Sequence, residues 1–459
     1  MKTYHIRIRH LALLAFAGTL LSVKAEPYIV AVSETDYADA RWKKVCDTLL
    51  AKYMDSQVLT YHESVTNALP ALQKAQPRAV AFVASHTNCG QRFVAEIHHV
   101  MRAIDTDVYT DAPWGIITGI TSEDACKRVA TTTPLVVSNT LANTAIPLEN
   151  LVAGEWYDEL KQSLHVYKLK GEPIVRDENA EKDPAEPLAT KINANTVDLI
   201  VGSGHATERD WQIGYRYPAG SFRCDNNQLH ARTHADKIQI PIHSTNPKIY
   251  LPCGNCLMGH VDGQNAMALA WMRDANVMQM AGYTVPTWFG YAGWGIMDYM
   301  LEMPGRYTFA EAFLANQIAL DHLLLTQPSK GLEFDKTVVA FYGDPLWEAR
   351  MASQPSGYEQ TLAKTNDGYT LTIKPLRGEN SFKLLSYNGS QRGNRPIIAW
   401  LPKKMTKPVV VEGMELHPVV TPRFILIPLP ATLKDSYMVR VTGQEVWRSG
   451  GSYRAIRTK

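Results

Sequence analysis

The feature that most constrains the fold is an alternation of short apolar runs with stretches of helical periodicity. Residues 28–33 and 79–85 are apolar runs of strand length. Between them and after them lie stretches of helical periodicity, including 39–52, which places Trp42, Val45, Leu49 and Leu50 on one face. Such alternation predicts a parallel β-sheet with helices packed on its faces.

The alternation stops and then resumes, which suggests two α/β subdomains. We predict an N-terminal α/β subdomain over residues 26–165 and a second one over 196–354. In the second, residues 266–280 are predicted to be helical. The intervening residues 166–195 contain three prolines and many charges with little apolar periodicity, so we predict a solvated linker or loop there.

The last hundred residues have a different character. Beyond residue 355, short β-rich runs bounded by proline and glycine replace the helical pattern. Strands at this spacing predict a small all-β sandwich, which we assign to residues 355–459 and expect to be a separable domain.

The N-terminus has the pattern of a signal peptide. Lys2, Arg7 and Arg9 precede the apolar stretch 11–21, and small residues follow at the end of residues 23–25. The apolar stretch is shorter than the roughly 20 residues that a membrane span needs. We therefore assign residues 1–25 as a cleaved signal peptide. The mature protein is expected to be secreted, periplasmic or on the cell surface, with no stable membrane span.

Charge and cysteine content exclude several classes of function. Lys and Arg number 47 against 45 Asp and Glu, a net charge of +2, so no strong field attracts nucleic acid. We found no glycine-rich phosphate loop, and we predict no cofactor and no bound metal. Six cysteines in 459 residues are too few for a disulfide scaffold, which leaves at least one for chemistry.

Two polar clusters follow apolar strands and are the best candidates for a site. His205 ends the run 198–205, and Cys253 and Cys256 follow the run 248–252. The loops after the carboxyl ends of parallel strands are where active sites collect. Since 51 residues separate His205 from Cys256, enough for one crossover, the two loops are expected to lie side by side. Backbone N–H groups in such a turn lower the pKa of a thiol and can bind an oxyanion.

These two clusters resemble the gingipain, caspase and legumain group of cysteine peptidases. Residues 256–261, Cys-Leu-Met-Gly-His-Val, resemble the Cys-x-x-Gly-x-Phe stretch of the gingipain family, with Val261 in place of the aromatic residue. Residues 105–119, 309–314 and 341–350 resemble further segments of that family. The resemblance implies a caspase-like α/β fold, a parallel-sheet sandwich flanked by helices and followed by a small immunoglobulin-like all-β domain.

The resemblance also implies a function and a set of site residues. It predicts a secreted cysteine endopeptidase that hydrolyses protein or peptide substrates through a thioacyl-enzyme. His205 and Cys256 would form the catalytic dyad, with Cys253 as the alternative nucleophile. The backbone N–H groups of Ala206 and Cys256 would form the oxyanion hole, although the family usually has glycine after the histidine. Trp288 and Trp294 would line the substrate pocket.

Three other hypotheses remain open at this point. Cys253 and Cys256 form a C-x-x-C pair, which is typical of thiol-disulfide oxidoreductases. A structural zinc site could use Cys253, Cys256, His260 and His243, although a single C-x-x-C is weak evidence. The chain could also be a catalytically inactive peptidase fold that serves in binding.

Overall fold

The computed structural model describes residues 26–383 and 390–445. The predicted signal peptide, residues 1–25, lies outside the described residues. The strands, numbered in chain order, are β1 Tyr28–Ser33, β2 Ser56–Tyr61, β3 Ala79–Val83, β4 Trp114–Ile117, β5 Leu135–Val137, β6 Asn139–Ala142, β7 Ala153–Tyr157, β8 His165–Lys168, β9 Ile174–Asp177, β10 Leu199–Gly202, β11 Asp210–Gln212, β12 Ser221–Asp225, β13 Gln228–Arg232, β14 Gln239–Pro241, β15 Lys248–Pro252, β16 Val277–Tyr283, β17 Val339–Tyr342, β18 Ala349–Met351, β19 Tyr358–Lys364, β20 Gly368–Pro375, β21 Ile397–Trp400, β22 Met405–Glu412, β23 Val419–Val420, β24 Phe424–Ile427 and β25 Tyr437–Glu445. The α-helices are α1 Glu34–Ala38, α2 Ala40–Lys52, α3 Leu69–Ala75, α4 Gln91–Met101, α5 Ser122–Val129, α6 Ala185–Asn193, α7 Met267–Asp274, α8 Tyr291–Met300, α9 Phe309–Thr326 and α10 Lys330–Asp335.

A central sheet of twelve strands organises the first 350 residues. Its order is β2-β1-β3-β4-β17-β16-β15-β10-β6-β7-β8-β9. Antiparallel pairing is confined to β16 with β17 and to the edge pairs β7 with β8 and β8 with β9. Strands β1, β3 and β15 are buried along almost their whole length, as expected of parallel strands covered on both faces. The predicted fold class, a helix-flanked and mostly parallel sheet followed by antiparallel β structure, is confirmed.

A second, smaller sheet is inserted between β10 and β15. Strands β11 to β14 form an antiparallel sheet of four strands. One face is buried because Trp211 and Phe222 pack on Trp271, which in turn packs against Tyr250 of β15. The opposite face of this inserted sheet is polar and lies next to the loop of His205.

The prediction that residues 166–195 form a linker or loop without regular secondary structure is wrong. This segment contains part of β8, the edge strand β9 and helix α6. Helix α6 buries Ala185, Leu188, Ala189 and Ile192, a spacing of one helical face. Its prolines concealed this periodicity, but Pro187 lies in the first turn, where a proline costs no intrahelical hydrogen bond.

The helix predicted over residues 266–280 is also too long. Helix α7 ends at Asp274, and Asn276 follows with a φ of 52°, a left-handed conformation that stops a helix. The next residues form β16, every one of which is buried. A short, wholly apolar run does not distinguish a buried strand from a buried helix by periodicity.

The C-terminal residues form two small antiparallel sheets, β19-β20-β25-β22 and β21-β24-β23. None of these strands joins the central sheet. The segment before β21 nevertheless enters the α/β part, because the buried side chains of Arg392 and Arg395 form ion pairs with carboxylates of the segment 298–302. The boundary between residues 354 and 355 remains a prediction.

Within the described residues, no helix combines the length and the apolarity that crossing a membrane requires.

Candidate functional site

The loops of the two predicted clusters begin side by side at one edge of the central sheet. Strands β10 and β15 are parallel neighbours, and Gly202 pairs with Pro252 at their carboxyl ends. The loops that follow are joined by two hydrogen bonds. The thiol of Cys253 donates to the carbonyl of Gly202 at 3.2 Å, and Nδ2 of Asn255 donates to the carbonyl of Gly204 at 3.1 Å. The order of the strands thus brings the histidine loop and the cysteine loop together.

The backbone before His205 is held in one conformation. Gly204 has a φ of 119°, and a Cβ atom there would lie 2.6 Å from the carbonyl oxygen of Gln212. Only glycine therefore fits at this position. The carbonyl of His205 accepts a hydrogen bond from the N–H of Gln212 at 2.8 Å, which ties the loop to β11.

The imidazole of His205 is exposed and accessible to a ligand. Its ring stacks on Tyr215, with the centroids 4.8 Å apart. No side chain in the described parts of the chain hydrogen-bonds to the imidazole, so no third member of a triad is assigned. Within the described residues, no hydrogen bond joins the imidazole to the Cys256 thiol.

The two cysteines differ sharply in their surroundings. Cys253 is fully buried, and its thiol donates to the Gly202 carbonyl. Burial raises the pKa of the Cys253 thiol well above its ordinary value. Cys256 is only half-buried, and its sulfur accepts a hydrogen bond from the backbone N–H of Thr287 at 3.1 Å. Cys256 is therefore the more exposed of the two cysteines and the one whose sulfur accepts a backbone hydrogen bond.

Close backbone packing explains why the residue three positions after Cys256 is a glycine. A Cβ atom on Gly259 would collide with the backbone of Gly282 in β16. The N–H of Gly259 donates to the carbonyl of Tyr283 at 2.8 Å, and the N–H of Leu257 donates to that of Val285 at 3.1 Å. These contacts fasten the Cys256 turn to the end of β16 and to the segment that follows it.

Two backbone donors at the site are free. The chain on either side of Ala206 pairs with β11 through the carbonyl of His205 and the N–H of Thr207, which leaves the Ala206 N–H unused. Within residues 26–383 and 390–445, neither this N–H nor that of Cys256 donates to another protein group. Free N–H groups next to a nucleophile can stabilise an oxyanion.

The two tryptophans predicted to line a pocket have different positions. Trp288 is 63% exposed and follows Thr287, the residue that donates to the Cys256 sulfur. Trp294 is only 6% exposed, and a Cβ atom on Gly254 would lie 2.7 Å from its indole ring. Trp294 therefore packs against the cysteine turn and offers a ligand little surface. Of the two residues predicted to line a substrate pocket, Trp288 is the one whose ring is exposed.

A cleft of about 760 Å³ begins at His205. It is not among the features predicted from the sequence. Its walls include Tyr215 and the polar face of the inserted sheet β11–β14. Basic residues recur along it, and their density between residues 209 and 237 is the signal that could have drawn attention to this segment. We name this feature the histidine-side cleft.

Among the described residues, the one group of side chains spaced closely enough to bind a metal ion consists of aspartates and contains no thiol. Asp105, Asp107 and Asp111 each bring a carboxylate oxygen within 4.8 Å of the others. Burial and the two neighbouring carboxylates raise the pKa of Asp111 to about 8. The thiols and imidazoles of the zinc hypothesis do not form such a group among the described residues, and this disfavours it.

Comparisons with known proteins show similarity in structure only. No family model matches the chain, and no curated protein sequence matches it. Among solved structures, the Arg-specific cysteine proteinase gingipain R is similar with a TM-score of 0.42 at 11% identity, covering 91% of this chain and 95% of that one. A structure described as a protease is similar with a TM-score of 0.42 at 10% identity, covering 92% and 98%. Likeness at this level does not define a function, so the proposal below rests on the site itself.

Proposed function

We propose that this protein is a cysteine endopeptidase with Cys256 as the nucleophile and His205 as the general base and acid. One observation carries the proposal. At the edge where two parallel strands end, hydrogen bonds hold together a loop with an exposed imidazole and a turn with an accessible thiol. A thiol and an imidazole on adjoining loops are the two groups that acyl transfer through a thioester requires.

The residues divide the reaction between them. His205 takes the proton of the Cys256 thiol, the sulfur attacks the peptide carbonyl carbon, and the N–H groups of Ala206 and Cys256 stabilise the resulting oxyanion. His205 then gives a proton to the leaving amine as the C–N bond breaks, which leaves a thioester on Cys256. His205 next takes a proton from water, which attacks the thioester and releases the acid product and the free thiol.

The oxidoreductase hypothesis is disfavoured by the burial of Cys253. In a C-x-x-C redox site the attacking thiol is exposed and its pKa is lowered. Here the first cysteine of the pair, Cys253, is buried. Its thiol donates a hydrogen bond to a backbone carbonyl, and its pKa is raised. No comparable observation favours a redox role.

The proposed nucleophile can be tested by covalent labelling. A peptidyl chloromethyl ketone, applied at neutral pH, is expected to alkylate Cys256 and to leave Cys253 unmodified, because Cys256 is partly exposed whereas Cys253 is fully buried. Peptide mapping by mass spectrometry identifies the modified residue, and the His205→Ala protein, which lacks the base, serves as the control for activation. An adduct on Cys253 would move the nucleophile by three residues. Absence of any adduct, together with no peptide hydrolysis, would favour the binding-only hypothesis.

The two tryptophans should respond differently to replacement. Trp288→Ala removes an exposed ring from the residue after Thr287, whose N–H donates to the Cys256 sulfur, so we expect a rise in KM with little change in melting temperature. Trp294→Ala removes a buried ring and is expected to lower the free energy of unfolding by about 3–5 kcal/mol. Steady-state kinetics and urea denaturation of both variants check this. Unchanged kinetics in Trp288→Ala would remove it from the substrate pocket.

A further inference from the structure

The histidine-side cleft has an excess of positive charge that the rest of the chain lacks. Four cationic side chains line it against a single carboxylate, that of Asp210: Arg216, Arg223, Arg232 and Lys237. Over the whole chain, basic and acidic residues nearly balance, at 47 to 45. The cleft is therefore a local concentration of cations rather than a sample of an overall basic surface.

The strand register places two of the arginines next to each other. Arg232 of β13 pairs with Ser221 of β12, and Arg223 lies two residues further along the same strand. Side chains two residues apart point to the same face of a sheet, so Arg223 and Arg232 are diagonal neighbours on the cleft face. Two like charges at this separation repel each other unless an anion lies between or above them.

The carboxylate in the cleft leaves most of this charge uncompensated. Asp210 faces Arg223 across the pair β11–β12, and their charged atoms are 3.7 Å apart. Within the described parts of the chain, Arg216, Arg232 and Lys237 form no ion pair. Nε of Arg232 is buried without a hydrogen-bond partner. No protein group in the described chain accepts a hydrogen bond from the Arg232 guanidinium, and a planar guanidinium can bind a carboxylate through two parallel hydrogen bonds.

The position of the cleft relative to His205 indicates which part of a substrate would enter it. In the proposed mechanism His205 protonates the leaving amine, so the leaving half of the substrate must lie on the side of the imidazole. The cleft begins at that imidazole and runs along the inserted sheet. Thr287, whose backbone N–H donates to the Cys256 sulfur, is not among the residues that line this cleft.

We propose that the histidine-side cleft binds acidic side chains of the substrate that follow the scissile bond, and that Arg216 and Arg232 are its principal carboxylate-binding residues. This specificity rests on the proposed peptidase function. It adds a class of substrate, peptides with aspartate or glutamate shortly after the cleavage site, to that function.

Cleavage of a peptide library tests the specificity. Digestion of a proteome-derived library, followed by mass spectrometry, is expected to show enrichment of Asp and Glu at one or two positions after the cleaved bond. Comparing the best such peptide with its Gln isostere should show about a tenfold preference in kcat/KM for each guanidinium–carboxylate contact. The double variant Arg216→Gln/Arg232→Gln should lose that preference. Lys170→Gln/Lys374→Gln, with the same change in charge at exposed positions, should keep it.

A binding experiment separates this inference from the function on which it rests. Fluorescence anisotropy on the Cys256→Ala protein would compare a fluorescein-labelled Ala-Glu-Glu-Ala-Ala peptide with its Ala-Gln-Gln-Ala-Ala isostere. Tighter binding of the glutamate peptide, lost in the arginine variants, supports the inference even if no peptide is hydrolysed. Arg216→Gln alone, at an exposed position, serves if the double variant fails to fold.

Two outcomes would overturn the inference. Hydrolysis without any acidic preference would overturn it and leave the peptidase function intact. An acidic preference that survives in both arginine variants would place the recognition elsewhere on the protein.

Discussion

Cys256→Ala and His205→Ala are each expected to abolish peptide hydrolysis, with kcat/KM falling on the order of 10³-fold or more. The loss should be similar for the two variants because the thiol and the imidazole act as one unit. Cys253→Ala should retain most of the activity at temperatures below its melting point, since the Cys253 thiol is buried and reaches only the Gly202 carbonyl. Initial rates on the best peptide from the library measure all three variants.

A matched control is available for the histidine. His234 lines the same cleft as His205 but belongs to the segment after β13 and not to the loop that adjoins the cysteine turn, so His234→Ala should change turnover far less than His205→Ala. Equal loss in both cysteine variants, with an active His205→Ala protein, is the pattern of a dithiol redox site and would contradict the peptidase proposal. Loss in Cys253→Ala alone would keep the enzyme class and reassign the nucleophile.

Arg392→Ala is expected to destabilise the whole protein by about 3–5 kcal/mol, because it removes the buried guanidinium that pairs with Glu302 and Asp298. The Arg392 guanidinium donates to Glu302 at 3.2 Å and to the carbonyl of Ala145 at 3.1 Å, and it lies 3.9 Å from Asp298. All three charged side chains are almost completely buried. Denaturation by urea, followed by circular dichroism, gives the change in the free energy of unfolding.

The control for this variant is Lys374→Ala, an exposed change in the same C-terminal region, which is expected to alter stability by less than about 0.5 kcal/mol. If Arg392→Ala has the same free energy of unfolding as the control, the ion pairs contribute nothing to stability.

The same contacts bear on the predicted domain boundary. A fragment ending at residue 354 lacks both Arg392 and Arg395, so the structure leads us to expect that it is less stable than the full chain.

Local patterns in the sequence were enough to predict the α/β fold class, the β character of the C-terminal region and the two clusters around His205 and Cys256. Each depends on residues close together in the chain. An apolar run followed by glycine and a polar residue indicates a strand end wherever it occurs. The neighbouring position of the two loops followed from the length of one crossover, and β10 and β15 are indeed paired.

Contacts between distant parts of the chain decided what the sequence alone left open. The contrast between Cys253 and Cys256 depends on the path of the turn after β15, which is set by Trp294 against Gly254 and by Gly259 against Gly282. The histidine-side cleft depends on the register of β12 with β13, and the anchoring of the C-terminal region depends on Arg392 reaching Glu302. Local propensity and periodicity describe each segment on its own, so the partner that a segment finds in three dimensions, and the burial that results, appear only in the tertiary structure.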